Sequence, residues 1–101
     1  MEGYKVLVTY NFLTHRETEY RRFIIQQWIP AMQAMGFEPG EVLHTQWGKY
    51  PMRLVILYAP TLDAVREAME SDEWDSWHRQ LRGFVTNLRY RVVRAQPWLQ
   101  F

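Results

Sequence analysis

The stretch MRLVILYA, residues 52–59, decides the fold because it predicts a strand that is apolar on both faces. Side chains on a strand point alternately to its two faces. One face carries Leu54, Ile56 and Tyr58, and the other carries Val55 and Leu57. Both faces of such a strand need cover from other parts of the structure.

Three further strands surround this segment. Alternating hydrophobicity predicts them over residues 4–12, 41–49 and 88–95. Glu38-Pro39-Gly40 predicts the turn before the second strand, and Tyr50-Pro51 predicts a tight connection to the third.

Two helical regions separate the strands. The first follows Thr14-His15-Arg16-Glu17, which fits a capping box, and it ends near Gly36. Pro30 is expected to kink or break this helix, since proline removes a backbone hydrogen bond. The second region begins after Thr61 and restarts after Ser71-Asp72.

The resulting βαββαβ order predicts one α+β domain over residues 1–101. It is the ferredoxin-like arrangement, a four-stranded antiparallel sheet with helices on one face. A second copy of the chain is the simplest cover for the other face, which predicts an isologous homodimer. The apolar tail, residues 96–101, suits the same interface.

Composition narrows the functional classes. The formal net charge of the 101 residues is +1, so no global field attracts nucleic acid or acidic partners. There are five Trp, more than a small core easily hides, since each buries roughly 150–250 Å². Cysteine is absent, which excludes disulfides and thiolate metal sites. The sequence lacks a signal peptide and an apolar run long enough to span a bilayer, so we expect a soluble cytoplasmic protein away from membranes.

Several kinds of site are disfavoured by spacing. The chain has no glycine-rich phosphate loop and no His-Glu-x-x-His motif, and its three histidines share no ligand spacing, so no metal is expected. The third strand lacks the aromatic motif of RNA-recognition domains. Arg89, Arg91 and Arg94 are spread along the last strand, which is typical of a solvated edge strand, and nucleic acid is therefore not an expected partner.

The second helical region carries the candidate site. Trp74, His78 and Leu81 share the inward stripe of a helix, with Trp77 beside them. One interpretation is a buried histidine with tryptophans as core or dimer packing. The other is a pocket in which His78 acts as proton shuttle or axial ligand. The spacing alone allows both.

The chain resembles a known superfamily at this point. The βαββαβ order, the Trp-containing helix restart after Ser71-Asp72 and the ending Tyr90-Arg91-Val92-Val93-Arg94 are similar to the dimeric α+β-barrel superfamily, in particular the antibiotic-biosynthesis-monooxygenase-like proteins. The resemblance implies a homodimer whose two sheets pack into a barrel. It also implies a pocket in each subunit between sheet and helices.

Bacterial haem-degrading monooxygenases of that superfamily provide a local resemblance. Their Ser-Asp, followed six residues later by a haem-ligating His, matches Ser71-Asp72 and His78, and their Asn before x-Leu-Thr matches Asn11. Their Trp just before Ser-Asp would fall on Ala68, so the pattern departs there. Haem is therefore the less favoured version, and a cofactor-independent protein is expected.

Two functions follow from these patterns. The first is a monooxygenase-like enzyme for a flat hydrophobic molecule. In it Asn11 would hydrogen-bond substrate or an oxygen intermediate and His78 would act as base or ligand. The residues Tyr58, Trp74 and Trp77 would line the apolar pocket. The alternative is a non-catalytic dimeric domain that binds a hydrophobic ligand or serves a structural role. Fold alone does not decide between them.

Overall fold

The structure, a computed structural model, describes residues 3–47 and 50–95. These described residues form four strands: β1 (Gly3–Phe12), β2 (Glu38–Trp47), β3 (Tyr50–Ala59) and β4 (Val85–Ala95). The α-helices are α1 (Glu17–Phe23), α2 (Ile29–Ala34), α3 (Leu62–Met69) and α4 (Asp72–Leu81). The predicted tail, residues 96–101, and Lys49 lie outside the described residues.

The strands form one antiparallel sheet in the order β2-β3-β1-β4. This topology confirms the predicted ferredoxin-like α+β fold, and it places β4, with its three arginines, at an edge. The homodimer stays a prediction. In the described part of the chain, no helix has both the length and the apolar character required to cross a membrane.

The core lies between the sheet and the helices. On β1, Val6, Val8 and Tyr10 are fully buried, as the period-two pattern predicts for one face of a strand. Their core neighbours come from β3 and from all the helical regions: Val55, Leu57, Tyr20, Phe23, Trp28, Met32, Val65, Ala68, Trp74 and Leu81. We call this side of the sheet the helix face.

The other side of the sheet, which we call the open face, carries the alternate residues. Leu7 pairs with Ile56, Thr9 with Leu54, and Asn11 with Met52 across β1 and β3. Sequence alone does not decide the face of Asn11, because both faces of the first strand contain apolar residues. The register places Asn11 on the open face.

The first helical region differs from its prediction. The helix α1 begins at Glu17 with Arg16 at the N-cap position, so Thr14 is not the N-cap of this α-helix as the capping box predicts, and the Thr14 side chain itself lies outside the described part of the structure. Pro30 does not end the helical path. The chain instead passes through a π-helical turn, Ile24–Trp28, in which the Ile29 amide donates to the Ile24 carbonyl. Pro30 then occupies the first turn of α2, where a missing N–H is tolerated.

Two predicted turns are also wrong. Glu38, Pro39 and Gly40 belong to β2, where the register shifts between Pro39 and Val42. A β-bulge of this kind adds one residue to a strand without ending it. A Cβ on Gly40 would stand 2.3 Å from the Tyr58 ring, so glycine is needed there for the ring to pack. Tyr50-Pro51 begins β3 and is not a connection.

The predicted caps of the second helical region are confirmed. Thr61 Oγ1 accepts the Ala64 amide at 3.0 Å, and Ser71 Oγ accepts the Trp74 amide at 3.1 Å. Each side chain satisfies a backbone N–H that has no partner within the helix. Gly36 has a φ of 99° after α2, as predicted for a residue that ends a helix.

Candidate functional site

His78 is placed in the core by α4. The Ser71 cap fixes the start of this helix, and the spacing of four residues puts Trp74 and His78 on the same inward face. The exposed fraction is 4% for Trp74 and 1% for His78. The predicted inward stripe is thus present in the structure.

Both ring nitrogens of His78 are hydrogen-bonded. The Trp28 indole Nε1–H donates to His78 Nε2 at 3.3 Å, and His78 Nδ1 lies 2.8 Å from the Trp74 carbonyl oxygen. An indole N–H can only donate, so Nε2 must be the acceptor. The ring proton therefore lies on Nδ1, which donates to the carbonyl, and the imidazole is neutral.

Aromatic rings surround the imidazole. Its centroid is 3.9 Å from that of Trp74 in a tilted stack. Trp28 and Tyr90 contact it edge-on, at 5.6 Å and 5.2 Å. Burial among these rings lowers the pKa of His78 from its usual 6.5 to about 4, which the Trp74 carbonyl offsets only in part. Trp28, which lies fifty residues before His78, is the partner that sequence reasoning missed.

This arrangement does not fit a haem. An axial histidine needs a ring nitrogen whose lone pair faces the iron. The Nε2 lone pair of His78 accepts the Trp28 indole, and the ring is almost fully enclosed. Ala68, where the resemblance expects a Trp, is buried in the same core. The assignment of His78 as catalytic base stays a prediction.

Tyr90 carries a polar atom into the same cluster. Its ring packs against Trp74 at 5.3 Å and contacts His78. Its hydroxyl is buried and has no hydrogen-bond partner within the described part of the chain. Burial raises the pKa of Tyr90 to about 12, so the phenol is protonated at neutral pH. A buried hydroxyl in this state offers a hydrogen bond to a water or a ligand.

The predicted pocket residues do not all meet. Trp74 is part of the core, and Trp77 is partly buried beside Phe23 at a ring distance of 6.1 Å. Tyr58 pairs with Lys5 on the open face, on the other side of the sheet from both tryptophans. The structure therefore brings Trp74, Trp77 and His78 together on α4 and separates Tyr58 from them. Whether these residues bind a ligand stays a prediction.

Asn11 lies in a different place from His78. It lines a cleft of about 310 Å³ at the end of the open face, together with Thr9, Tyr10, Met52, Asn87 and Arg89. The Asn87 side-chain amide donates to Asn11 Oδ1 at 3.2 Å. Thus Asn11 and His78, the two predicted catalytic residues, lie on opposite sides of the sheet. Sequence reasoning noticed Arg89 only as an edge charge and did not identify Asn87 or Met52.

A second buried polar pair joins β1 to α1 on the helix face of the sheet. The hydroxyls of Tyr10 and Tyr20 hydrogen-bond each other, and the Arg53 guanidinium lies 5.4 Å from the Tyr20 ring centroid. Burial raises the pKa of both phenols, and for Tyr10 the neighbouring Tyr20 adds to the rise. We regard this pair as structural. Among residues 3–47 and 50–95, no three acidic, histidine or cysteine side chains are grouped to hold a metal ion.

Comparison with known proteins identifies the fold. No protein-family model matches the chain, and no curated protein matches its sequence. Similar solved structures include a NIPSNAP family protein from Agrobacterium tumefaciens, with a TM-score of 0.72, 13% identity and 95% of each chain covered. The chain shares the fold of this protein. An uncharacterized NIPSNAP domain protein from Burkholderia xenovorans superposes with a TM-score of 0.69 at 5% identity, over 97% of this chain and 99% of that one.

An enzyme also shares this fold. SnoaB, a cofactor-independent oxygenase from Streptomyces nogalater, superposes with a TM-score of 0.68 and 14% identity over 98% of each chain. The resemblance to the antibiotic-biosynthesis-monooxygenase-like superfamily is confirmed at the level of the fold. Identities this low say nothing further about activity.

Proposed function

We propose that this protein is a homodimeric ligand-binding domain in which the His78 cluster serves as core rather than as a catalytic centre. The observation that carries the proposal is the state of His78, which is 1% exposed and bonded at both nitrogens. A general base needs a free lone pair within reach of a substrate proton. His78 would have to break the Trp28 contact to provide one.

The homodimer is supported by the open face. Its half-buried apolar side chains form a band across three neighbouring strands: Leu7 on β1, Leu54, Ile56 and Tyr58 on β3, and Val93 on β4. The same band on a second copy is self-complementary, as an isologous interface requires. Burying it in this way would give β3 the cover that its apolar sequence calls for.

Light scattering on the purified protein tests the dimer. Ile56→Lys places a charge in the middle of the band, and we expect it to give a monomer while the wild type is a dimer. Ile25→Lys is the matched control, because Ile25 is 67% exposed on the helical side of the domain. A monomeric wild type at micromolar concentration, or an equal effect of the two variants, contradicts the proposal.

Titration with haemin tests the core assignment of His78. We expect no saturable Soret shift that depends on His78. A saturable shift that is abolished by His78→Ala would show that the imidazole leaves the Trp28 contact and binds iron. The circular dichroism of the variant must match that of the wild type, so that unfolding is not mistaken for loss of a ligand.

A cofactor-independent oxygenase is the second candidate. It is favoured by the buried Tyr90 hydroxyl, which has no hydrogen-bond partner among the described residues and lies beside flat aromatic rings, and by the fold shared with SnoaB. A flat phenolic substrate at this place would satisfy that hydroxyl. Oxygen uptake with 1-naphthol measures the activity. Uptake by the wild type that Tyr90→Phe abolishes would favour this candidate over the binding domain.

A further inference from the structure

The cleft on the open face is built by an irregularity of β4. Thr9 pairs with Arg89 and Asn11 with Thr86, so β4 has one more residue than β1 between these pairs. Asn87 lies in this bulge with a φ of 55°, in the left-handed region that asparagine tolerates better than most residues. The bulge brings the Asn87 side-chain amide to Asn11.

The charge around the cleft is positive. Among the described residues that line it, Arg89 alone is charged, and Arg91 follows on the same face, opposite Leu7. The one described acidic residue in the sheet register of this face is Glu38, which pairs with Tyr58 near the far end of β3. An anion in the cleft therefore meets a guanidinium and no nearby carboxylate among the described strand residues.

The remaining lining residues are suited to a ligand of mixed character. Asn11 and Asn87 provide amide groups, each with more than one donor or acceptor position, and their mutual hydrogen bond fixes how they are oriented. Met52, opposite Asn11, is 45% exposed and provides an adaptable apolar surface. The cleft volume of about 310 Å³ is at the small end of ligand pockets.

We propose that this cleft is the ligand site of the domain, and that it binds the carboxylate of a small molecule whose apolar body lies against Met52. The inference rests on the proposed ligand-binding function and names its site and ligand class. Arg89 would hold the carboxylate with paired N–H donors, which is the geometry that guanidinium groups favour. The Asn87 amide would bond the same carboxylate or a neighbouring polar atom.

Benzoate is the probe, followed by amide NMR on the full chain. We expect weak but saturable shifts centred on Asn11, Asn87 and Arg89, and much weaker binding of benzamide, which has the same ring without the charge. Arg89→Met should weaken benzoate binding at least about tenfold, the loss expected for charge-assisted hydrogen bonds. Asn87→Gly keeps a residue that accepts the positive φ and removes the amide, so it should weaken binding while leaving the fold intact.

Arg91→Met is the matched control, since it removes the same charge from the same face of the same strand outside the cleft. It should leave benzoate affinity within about twofold, because a guanidinium that does not touch the carboxylate acts on it only weakly through water and salt. Equal losses in both arginine variants would overturn the proposal in favour of diffuse attraction by surface charge. If benzamide binds as tightly as benzoate, the carboxylate is not recognised. If inorganic phosphate binds as tightly as benzoate, the apolar contact with Met52 is not part of recognition. Shifts centred elsewhere, or none, would overturn the site.

Failure of this inference is separable from failure of the proposed function. A protein that is dimeric by light scattering but shows no benzoate shift retains the homodimer and loses this site. A monomeric protein with saturable, Arg89-dependent shifts retains the site, because all its lining residues belong to one chain, and loses the homodimer.

Discussion

The state of His78 follows from what surrounds one ring. The imidazolium form would leave Nε2 with a proton facing the Trp28 indole N–H, and two donors cannot share a hydrogen bond. Burial opposes the charge as well. Protonation of His78 is thus unfavourable in the folded protein, whereas in the unfolded chain the imidazole takes up a proton at its usual pKa.

Stability should therefore fall in acid through His78. Its pKa is lowered from 6.5 to about 4 on folding, so the unfolded chain binds the proton first as pH falls. Above pH 6.5 the group is neutral in both states and does not lower the free energy of unfolding. As the pH falls from 6.5, the free energy of unfolding decreases, and the loss reaches roughly 3 kcal/mol at about pH 4. Urea unfolding at several pH values between 7.5 and 4 measures it.

His78→Phe is the control for this pH dependence. It keeps an aromatic ring in the core and removes the titrating group, so the stability of the variant should change less between pH 7 and 5 than that of the wild type. The absolute stability of the variant will be lower, because the Trp28 N–H loses its acceptor. Equal pH slopes in the two proteins would contradict a neutral buried His78.

Tyr90→Phe tests the buried hydroxyl. The hydroxyl has no hydrogen-bond partner among the described residues. Its removal should therefore leave the free energy of unfolding unchanged or raise it by up to about 1 kcal/mol. Urea unfolding at neutral pH is the measurement. A loss of more than about 1 kcal/mol would show that the hydroxyl is hydrogen-bonded, through a bound water or a neighbour, in solution.

The residue-level predictions succeeded where local spacing decides the answer. Helical spacing placed Trp74 and His78 on one inward face, and the structure confirms their burial. The Trp28 contact could not be predicted, because the two residues are fifty positions apart and the packing of two helical segments brings them together. That contact also occupies the Nε2 lone pair of His78, which a catalytic base or a metal ligand would need to have free.

At the level of the element, α4 depends on its cap. Ser71→Ala removes the acceptor for the Trp74 amide and should lower the free energy of unfolding by about 1 kcal/mol. Ser76→Ala is the matched control, since Ser76 is exposed within the same helix and alanine there favours helix formation. Thermal unfolding followed by circular dichroism compares them. An equal effect of both changes would contradict the capping role.

Strand and helix boundaries show where sequence patterns are ambiguous. Glu38-Pro39-Gly40 has the composition of a turn, yet a bulge accommodates these residues within β2. Pro30 predicts a kink or break of the helix, yet the helical assignment continues from a π-helical turn into α2. In both cases the element accommodates one extra residue instead of ending. The local sequence does not show which of the two happens, because the hydrogen bonding of the whole sheet or helix determines it.

At the level of the whole molecule, the alternation of β3 predicted most of the architecture. Val55 and Leu57 are buried under the helices, and Ile56 and Tyr58 are on the open face, as the period of two requires. The position of the cleft could not be predicted in the same way. It depends on the β4 bulge, which brings Asn87 within 3.2 Å of Asn11, a residue 76 positions away.

If the open face is buried between two copies, folding and dimerisation are coupled. The midpoint of thermal unfolding of the wild type should then rise with protein concentration, because mass action favours the folded dimer. Ile56→Lys should unfold at a lower temperature and without concentration dependence, while Ile25→Lys should behave as the wild type does. Scanning calorimetry over a hundredfold range of about 1–100 μM, where dimer stability depends on protomer concentration, makes the comparison. A wild-type midpoint that is constant over this range would show that the apolar band contributes its stability within a single chain.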